Sequence, residues 1–149
     1  MTRVAAFFDV DETLIQMKSM FHFLEFLYQD IDQSEDAKSE FDSAIEKIKA
    51  LAATQPRHVV NKYYYRLYTG LKKEHIDILV SRWFDGLDKH NGFIIQPVYD
   101  RLKIHLKNHH RVVFVSGASN EILKPIAHFF GATDALGANL EVENGVFTG

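Results

Sequence analysis

Phe7-Phe8-Asp9-Val10-Asp11-Glu12-Thr13-Leu14 is the stretch whose reading decides the rest of this chain. Residues 4–10 form a short apolar run that ends in acid, the pattern of a buried parallel-sheet strand delivering side chains at its carboxyl end. Asp9 and Asp11 stand two apart, so on a continuing strand both face one way, and a turn directly after it points them into the crevice beyond the sheet. Open α/β sheets bind ligands in that crevice. Two close carboxylates repel unless a cation or a proton lies between them. The chain has no cysteine, which leaves oxygen and imidazole as metal ligands, and a hard ion such as Mg²⁺ suits the carboxylate pair. Asp9 is then placed to attack phosphorus, forming an aspartyl-phosphate. Asp11, if its environment raises its pKa, protonates the leaving oxygen and later deprotonates the attacking water. The plainer alternative is that both acids merely end a strand, with Asp11 or Thr13 bonding the turn backbone. A bare Asp-X-Asp leaves these readings level.

Outward from this stretch the pattern turns helical between Ser19 and about Leu87. Phe41, Ile45, Ile48 and Leu51 recur at three- and four-residue steps, as do Val60, Tyr64, Leu67 and Tyr68. Asp32 with Glu35 reads as a capping-box-like start, Pro56 as a first-turn proline and Gly70 as a helix stop. After Gly92 the pattern changes again: Pro97 opens a helix to about His109, residues 111–115 form a second buried strand, and Ser119 caps a helix ending near Gly131. Asn144-Gly145 between alternating residues predicts a hairpin over 140–147. The division expected is an α/β core of residues 1–15 and 93–149 with a helical cap of residues 16–92.

The strand Val112-Val113-Phe114-Val115 ends in Ser116-Gly117-Ala118-Ser119 and leads into a helix, an arrangement suited to phosphate. Ser116 can donate its hydroxyl, and Gly117 lets the backbone come close. Taken alone, a serine here is more often a turn or cap residue. Together with the first stretch it carries more. The hydrophobic strand with Asp9-X-Asp11-X-Thr13 resembles the first motif of the haloacid dehalogenase superfamily, and Ser116 occupies the place of that superfamily's second. A helical stretch between the two is similar to the phosphoserine-phosphatase-like branch, and residues 111–119 and 139–149 look closest to the small phosphomonoesterases around it.

The resemblance implies a Rossmann-like parallel-sheet α/β core with an inserted helical cap. It implies a magnesium-dependent phosphomonoesterase in which Asp9 is the nucleophile and Asp11 the acid and base. Val10, Asp11, Thr13, Ser116 and Gly117 hold the phosphoryl group, and Asp9 and Asp11 serve the metal. Family members carry a later lysine and an acidic Gly-Asp motif, which lie past Gly149 if present. Lys124 reads as a solvated helix lysine rather than a stand-in. The expectation is therefore a core incomplete at its carboxyl end, whose isolated activity is in question. A non-catalytic binding or interaction protein of the same fold and a phosphotransferase to a non-water acceptor are the alternatives. A dehalogenase leaves Asp11 without a task.

Substrate choice is less legible. Lys18 and Arg66 are the cations expected to meet a small phosphorylated metabolite. The family's phosphoserine enzymes carry a glutamate where this chain has Lys18-Ser19, so phosphoserine itself is not the expected substrate. A formal charge of -3, with 25% charged and 46% hydrophobic residues over 149 positions, offers no global basic field for nucleic acid or anionic membrane. No apolar run reads as a signal peptide or membrane span, so a cytoplasmic enzyme is expected. A sheet edge left open invites a homodimer. The histidines, His109-His110 at a helix end included, are assigned no chemistry.

Overall fold

The computed structural model describes residues 4–31 and 35–149. They form two compact units: Met1–His22 with Val80–Asn139, and Phe23–Leu79 with Leu140–Gly149. The second grouping takes the terminal hairpin with the helical residues, whereas the division read from sequence placed it in the α/β part.

The first unit is built on three parallel strands in the order β1-β2-β3: β1 (Ala5–Phe8), β2 (Arg111–Ser119) and β3 (Asp134–Ala138). Phe8 lies beside Phe114, and Val115 beside Leu136. Around the sheet lie α5 (Gln96–Lys107) and α6 (Asn120–Phe130), introduced by the start of α1 (Ser19–Ile31) and the end of α4 (Lys73–Asp85). Local chemistry explains α6. Ser119 sits extended and accepts the Ile122 N–H, and Gly131 closes the helix at φ 71°, a left-handed position that favours glycine. Its face of Ile122, Leu123, Ile126, Ala127 and Phe130 is buried, and Phe130 meets Phe114 of β2. Phe8 of β1 meets His105 of α5, so both helices lie over the sheet face that carries Phe8 and Phe114. On the other face Phe7, Val115 and Leu136 are 66%, 42% and 55% exposed.

The second unit comprises the rest of α1 and α4 with α2 (Glu35–Thr54), α3 (Arg57–Arg66) and a hairpin of β4 (Val142–Glu143) and β5 (Val146–Phe147). Asn144 and Gly145 take φ of 52° and 79°, the paired positive values of a tight two-residue hairpin turn. The hairpin docks on the segment after α3: the Gly70 N–H donates to Phe147 O at 2.9 Å, Phe147 N–H to Leu71 O at 3.0 Å, and Lys73 N–H to Gly145 O at 2.9 Å. Phe147, Tyr68, Tyr64 and Phe23 are almost wholly buried and share one aromatic cluster. Each such side chain contributes about 1.5–3 kcal/mol by leaving water.

The strand expected over residues 4–10 is shorter, and the second strand runs on to Ser119. Pro56 caps α3 from outside rather than sitting in its first turn. The start read from Asp32 and Glu35 lies outside the described residues. The strand β3 has no counterpart in the sequence reading. Among the described residues no helix is long and apolar enough to cross a membrane.

Candidate functional site

Beyond Phe8 the chain leaves the strand and coils around one acceptor. The Val10 carbonyl takes the N–H groups of Thr13, Leu14 and Ile15 at 3.3, 2.9 and 3.1 Å. Leu14 and Ile15 are fully buried and anchor the coil, and the Leu14 carbonyl accepts the Ile95 N–H at 2.9 Å. Glu12 is forced to φ 55° at the tip. The consequence is that Asp9 and Asp11 leave strand alternation and enter different surroundings.

Asp9 is exposed, and its Oδ2 accepts the Thr13 hydroxyl at 2.6 Å. Asp11 is drawn inward: its Oδ2 accepts both the main-chain N–H and the hydroxyl of Ser19, each at 3.0 Å, while its Oδ1 is buried with no hydrogen-bond partner. Burial pushes the Asp11 carboxyl above the usual carboxylate range. The Ser19 hydrogen bonds counter this, and the neighbouring charges of Asp9 and Glu12 add to it. One carboxylate thus faces solvent, and the other is half-buried with its pKa raised. Sequence reasoning missed Ser19 as the holder of Asp11. The available signal was a polar residue opening an apolar helix a few residues after an acid, where its N–H is an unpaired helix-start donor.

Ser116 lies two residues past Phe114, which pairs with Phe8, so β2 delivers it at the sheet end where β1 gives way to Asp9. The β2–β3 register shifts between Val115 and Ser119, freeing residues 116–118 from regular pairing. Within that bulge Ser116 Oγ accepts the Ala118 N–H at 3.1 Å, which leaves the hydroxyl hydrogen to donate elsewhere. Gly117 sits beside it, half-buried. Val10 is fully buried. Lys18 is exposed and lies 3.6 Å from Glu12, a solvent-screened pair. Arg66 ends α3 in the second unit and is exposed, as Lys124 is on α6.

For a metal the residues offer hard oxygens from Asp9 and Asp11, and the unpartnered buried Oδ1 of Asp11 calls for a proton or a cation. That donor chemistry fits magnesium. Among the described residues no cluster of three or more His, Asp or Glu side chains gathers for a metal, so the pair supplies only part of a six-oxygen shell.

Comparison with known proteins bears on the family and the fold. The family of haloacid dehalogenase-like hydrolases matches residues 6–149. Phosphoserine phosphatase SerB1 of Mycobacterium tuberculosis is 30% identical over 97% of this chain and 47% of its own length, so the chain spans about half of that relative. Among solved structures, a protein of unknown function from Bordetella pertussis Tohama I superposes with a TM-score of 0.81 at 19% identity, covering 99% of this chain and 66% of that one. A phospho-aspartyl intermediate analogue of phosphoserine phosphatase gives a TM-score of 0.62 at 17% identity, over 99% and 62% of the two chains. The likeness to these structures is one of fold. With its parallel sheet, its strand-end carboxylates and a family match over nearly its whole length, the chain belongs to the haloacid dehalogenase-like hydrolases.

Proposed function

We propose that the protein is a magnesium-dependent phosphatase acting on a small phosphorylated metabolite through an aspartyl-phosphate on Asp9. The observation that carries this is the contrast between the two acids: Asp9 exposed at the strand end, and Asp11 two residues on, half-buried with one oxygen unpartnered and its pKa raised. An exposed carboxylate at the strand end is open to an incoming phosphoryl group, and a raised pKa is the direction a general acid requires, because an ionised acid has no proton to give.

An Asp9 carboxylate oxygen forms a bond to phosphorus as the ester P–O bond breaks, and Asp11 gives its proton to the departing oxygen. Water then attacks phosphorus while Asp11 takes a proton from it, the bond to Asp9 breaks and phosphate leaves. The Thr13 hydroxyl, 2.6 Å from Asp9 Oδ2, turns the nucleophile. The two Ser19 donors fix Asp11 Oδ2, so its Oδ1 is the oxygen left to carry the proton. Ser116 and Gly117 on the adjacent strand hold the phosphoryl oxygens, and Lys18 is the proposed contact to the rest of the substrate. Magnesium, held in part by Asp9 and Asp11, would offset phosphoryl charge.

The test is phosphate release from a panel of small phosphomonoesters with and without Mg²⁺. Asp9→Ala should abolish release, and Asp11→Asn should lose turnover while still binding inorganic phosphate. Undiminished turnover in Asp9→Ala sinks the nucleophile assignment. We extend the reading to assembly: among the described strands β1 pairs only with β2, and Phe7 beside that edge is 66% exposed, which supports association of two chains there. A stable monomer in sedimentation velocity contradicts that association.

A further inference from the structure

The carboxyl end of α5 carries two histidines that the phosphatase reading does not use. The helix closes with Asn108 as its cap and His109 at φ 55°, a left-handed value that a histidine adopts at a cost. The His109 N–H donates to Leu106 O and the His110 N–H to His105 O, both at 3.0 Å. This is the double hydrogen bond of a helix ended by a left-handed residue, and it normally brings together two apolar side chains, here at positions 105 and 110. Instead it brings together two imidazoles. His105 Nδ1 and His110 Nδ1 lie 2.9 Å apart, the ring centroids are 5.2 Å apart, and Phe8 packs edge-on to the His105 ring at 5.9 Å. Both rings are half-buried.

Two Nδ1 atoms can approach so closely only with a proton between them or another electrophile in its place. The nearby Arg111 guanidinium is engaged by Asp134 at 2.6 Å, and the exposed main-chain carbonyls of a helix end favour positive charge. The geometry points to a binding site for a borderline divalent cation, Zn²⁺ in the first instance, chelated by His105 Nδ1 and His110 Nδ1 and completed by water. Zinc–imidazole bonds of about 2.0–2.1 Å at a tetrahedral angle set the two nitrogens about 3.3–3.4 Å apart, so binding needs the rings to part slightly and to turn until both Nδ1 lone pairs converge on the ion. The ring that donates from Nδ1 takes its Nε2–H tautomer on binding, and both Nδ1 lone pairs then face the ion. The backbone has already fixed the pair, so little ordering opposes binding. Mg²⁺, which prefers oxygen, has no claim on such a site.

Calorimetric titration of the full chain with Zn²⁺ at neutral pH tests this, with ring nitrogen shifts followed by NMR. One equivalent should bind, the Nδ1 signals of His105 and His110 should move, and excess Mg²⁺ should not compete. His110→Phe restores the apolar contact usual at this helix end and so preserves the fold while removing a ligand. Because losing an outer partner of a ligand already costs about 10- to 100-fold in affinity, losing a ligand should cost at least that. His109→Asn, which tolerates the left-handed backbone, and Asp9→Ala should both bind Zn²⁺ like the parent. The proposal is overturned if the folded parent takes up no Zn²⁺, if His110→Phe binds it undiminished, or if Asp9→Ala removes the binding.

Discussion

The helical unit and the α/β unit use polar atoms in opposite ways. In the helical unit they are turned to packing: the hydroxyls of Tyr64 and Tyr68 meet at 2.8 Å inside an aromatic cluster with Phe23 and Phe147, and the hairpin spends its outward main-chain groups on residues 70–73. In the α/β unit, polar atoms at the sheet end are positioned without being used up. Asp9 faces solvent, Asp11 keeps one buried oxygen unpartnered, and Ser116 keeps a donor in hand. Unsatisfied buried polar atoms are costly and concentrate where a ligand repays them. The difference therefore separates a part whose polar atoms are spent on packing from the part in which the proposed site lies.

The strongest way to break that comparison is to remove the proposed nucleophile. Asp9→Ala should lower phosphate release by about 10³-fold or more, whereas Tyr64→Phe in the helical unit should change the chemical step by less than about tenfold. Equal losses in the two variants would erase the distinction. Next in size is the packing test: Phe147→Ala removes a ring that is 1% exposed and should cost about 3–5 kcal/mol in denaturant unfolding. A cost under 1 kcal/mol would show that the hairpin is not part of that core.

The electrostatic test is smaller and carries a sign. Asp11 has a folded pKa raised above 3.8, so its favourable contribution to folding is complete below that value and is lost as the pH rises through the raised pKa. Asparagine at position 11 stays neutral and can still accept from Ser19. Asp11→Asn should therefore be more stable than the parent at neutral pH, by about 1.4 kcal/mol for each tenfold difference in proton affinity, and should lose the advantage on acidification. A variant less stable at neutral pH would mean that the carboxylate is the form the fold favours. Smallest is the cap of α6: Ser119→Ala should cost about 1 kcal/mol in thermal unfolding, with turnover retained.

What could be read from sequence follows the same division. The strand-end acids were legible because β1, the turn and both carboxylates fall within a few contiguous residues, and Asn144-Gly145 announced its hairpin because both positions require positive φ. The strand β3 was not legible. Asp134 and Gly137 are poor strand formers, and Gly137 is there because a Cβ would stand 2.6 Å from the Ala118 carbonyl, a contact that exists only once β2 has bulged. Ser19 was legible as a helix start but not as the residue that holds Asp11, since that bond depends on the coil around Val10 bringing the two together. The docking of the hairpin on residues 70–73 is a pairing between distant segments that local pattern does not record.

The most direct measurement of the central claim is acid-quenched turnover with a small phosphomonoester and Mg²⁺, followed by peptide mass analysis for an acyl phosphate. The account predicts a phosphoryl group on the peptide containing Asp9, absent in Asp9→Ala and more abundant in Asp11→Asn if the second half-reaction slows more than the first. Phosphate released at the parent rate by Asp9→Ala, or a phosphoryl group trapped on any other residue, would contradict it.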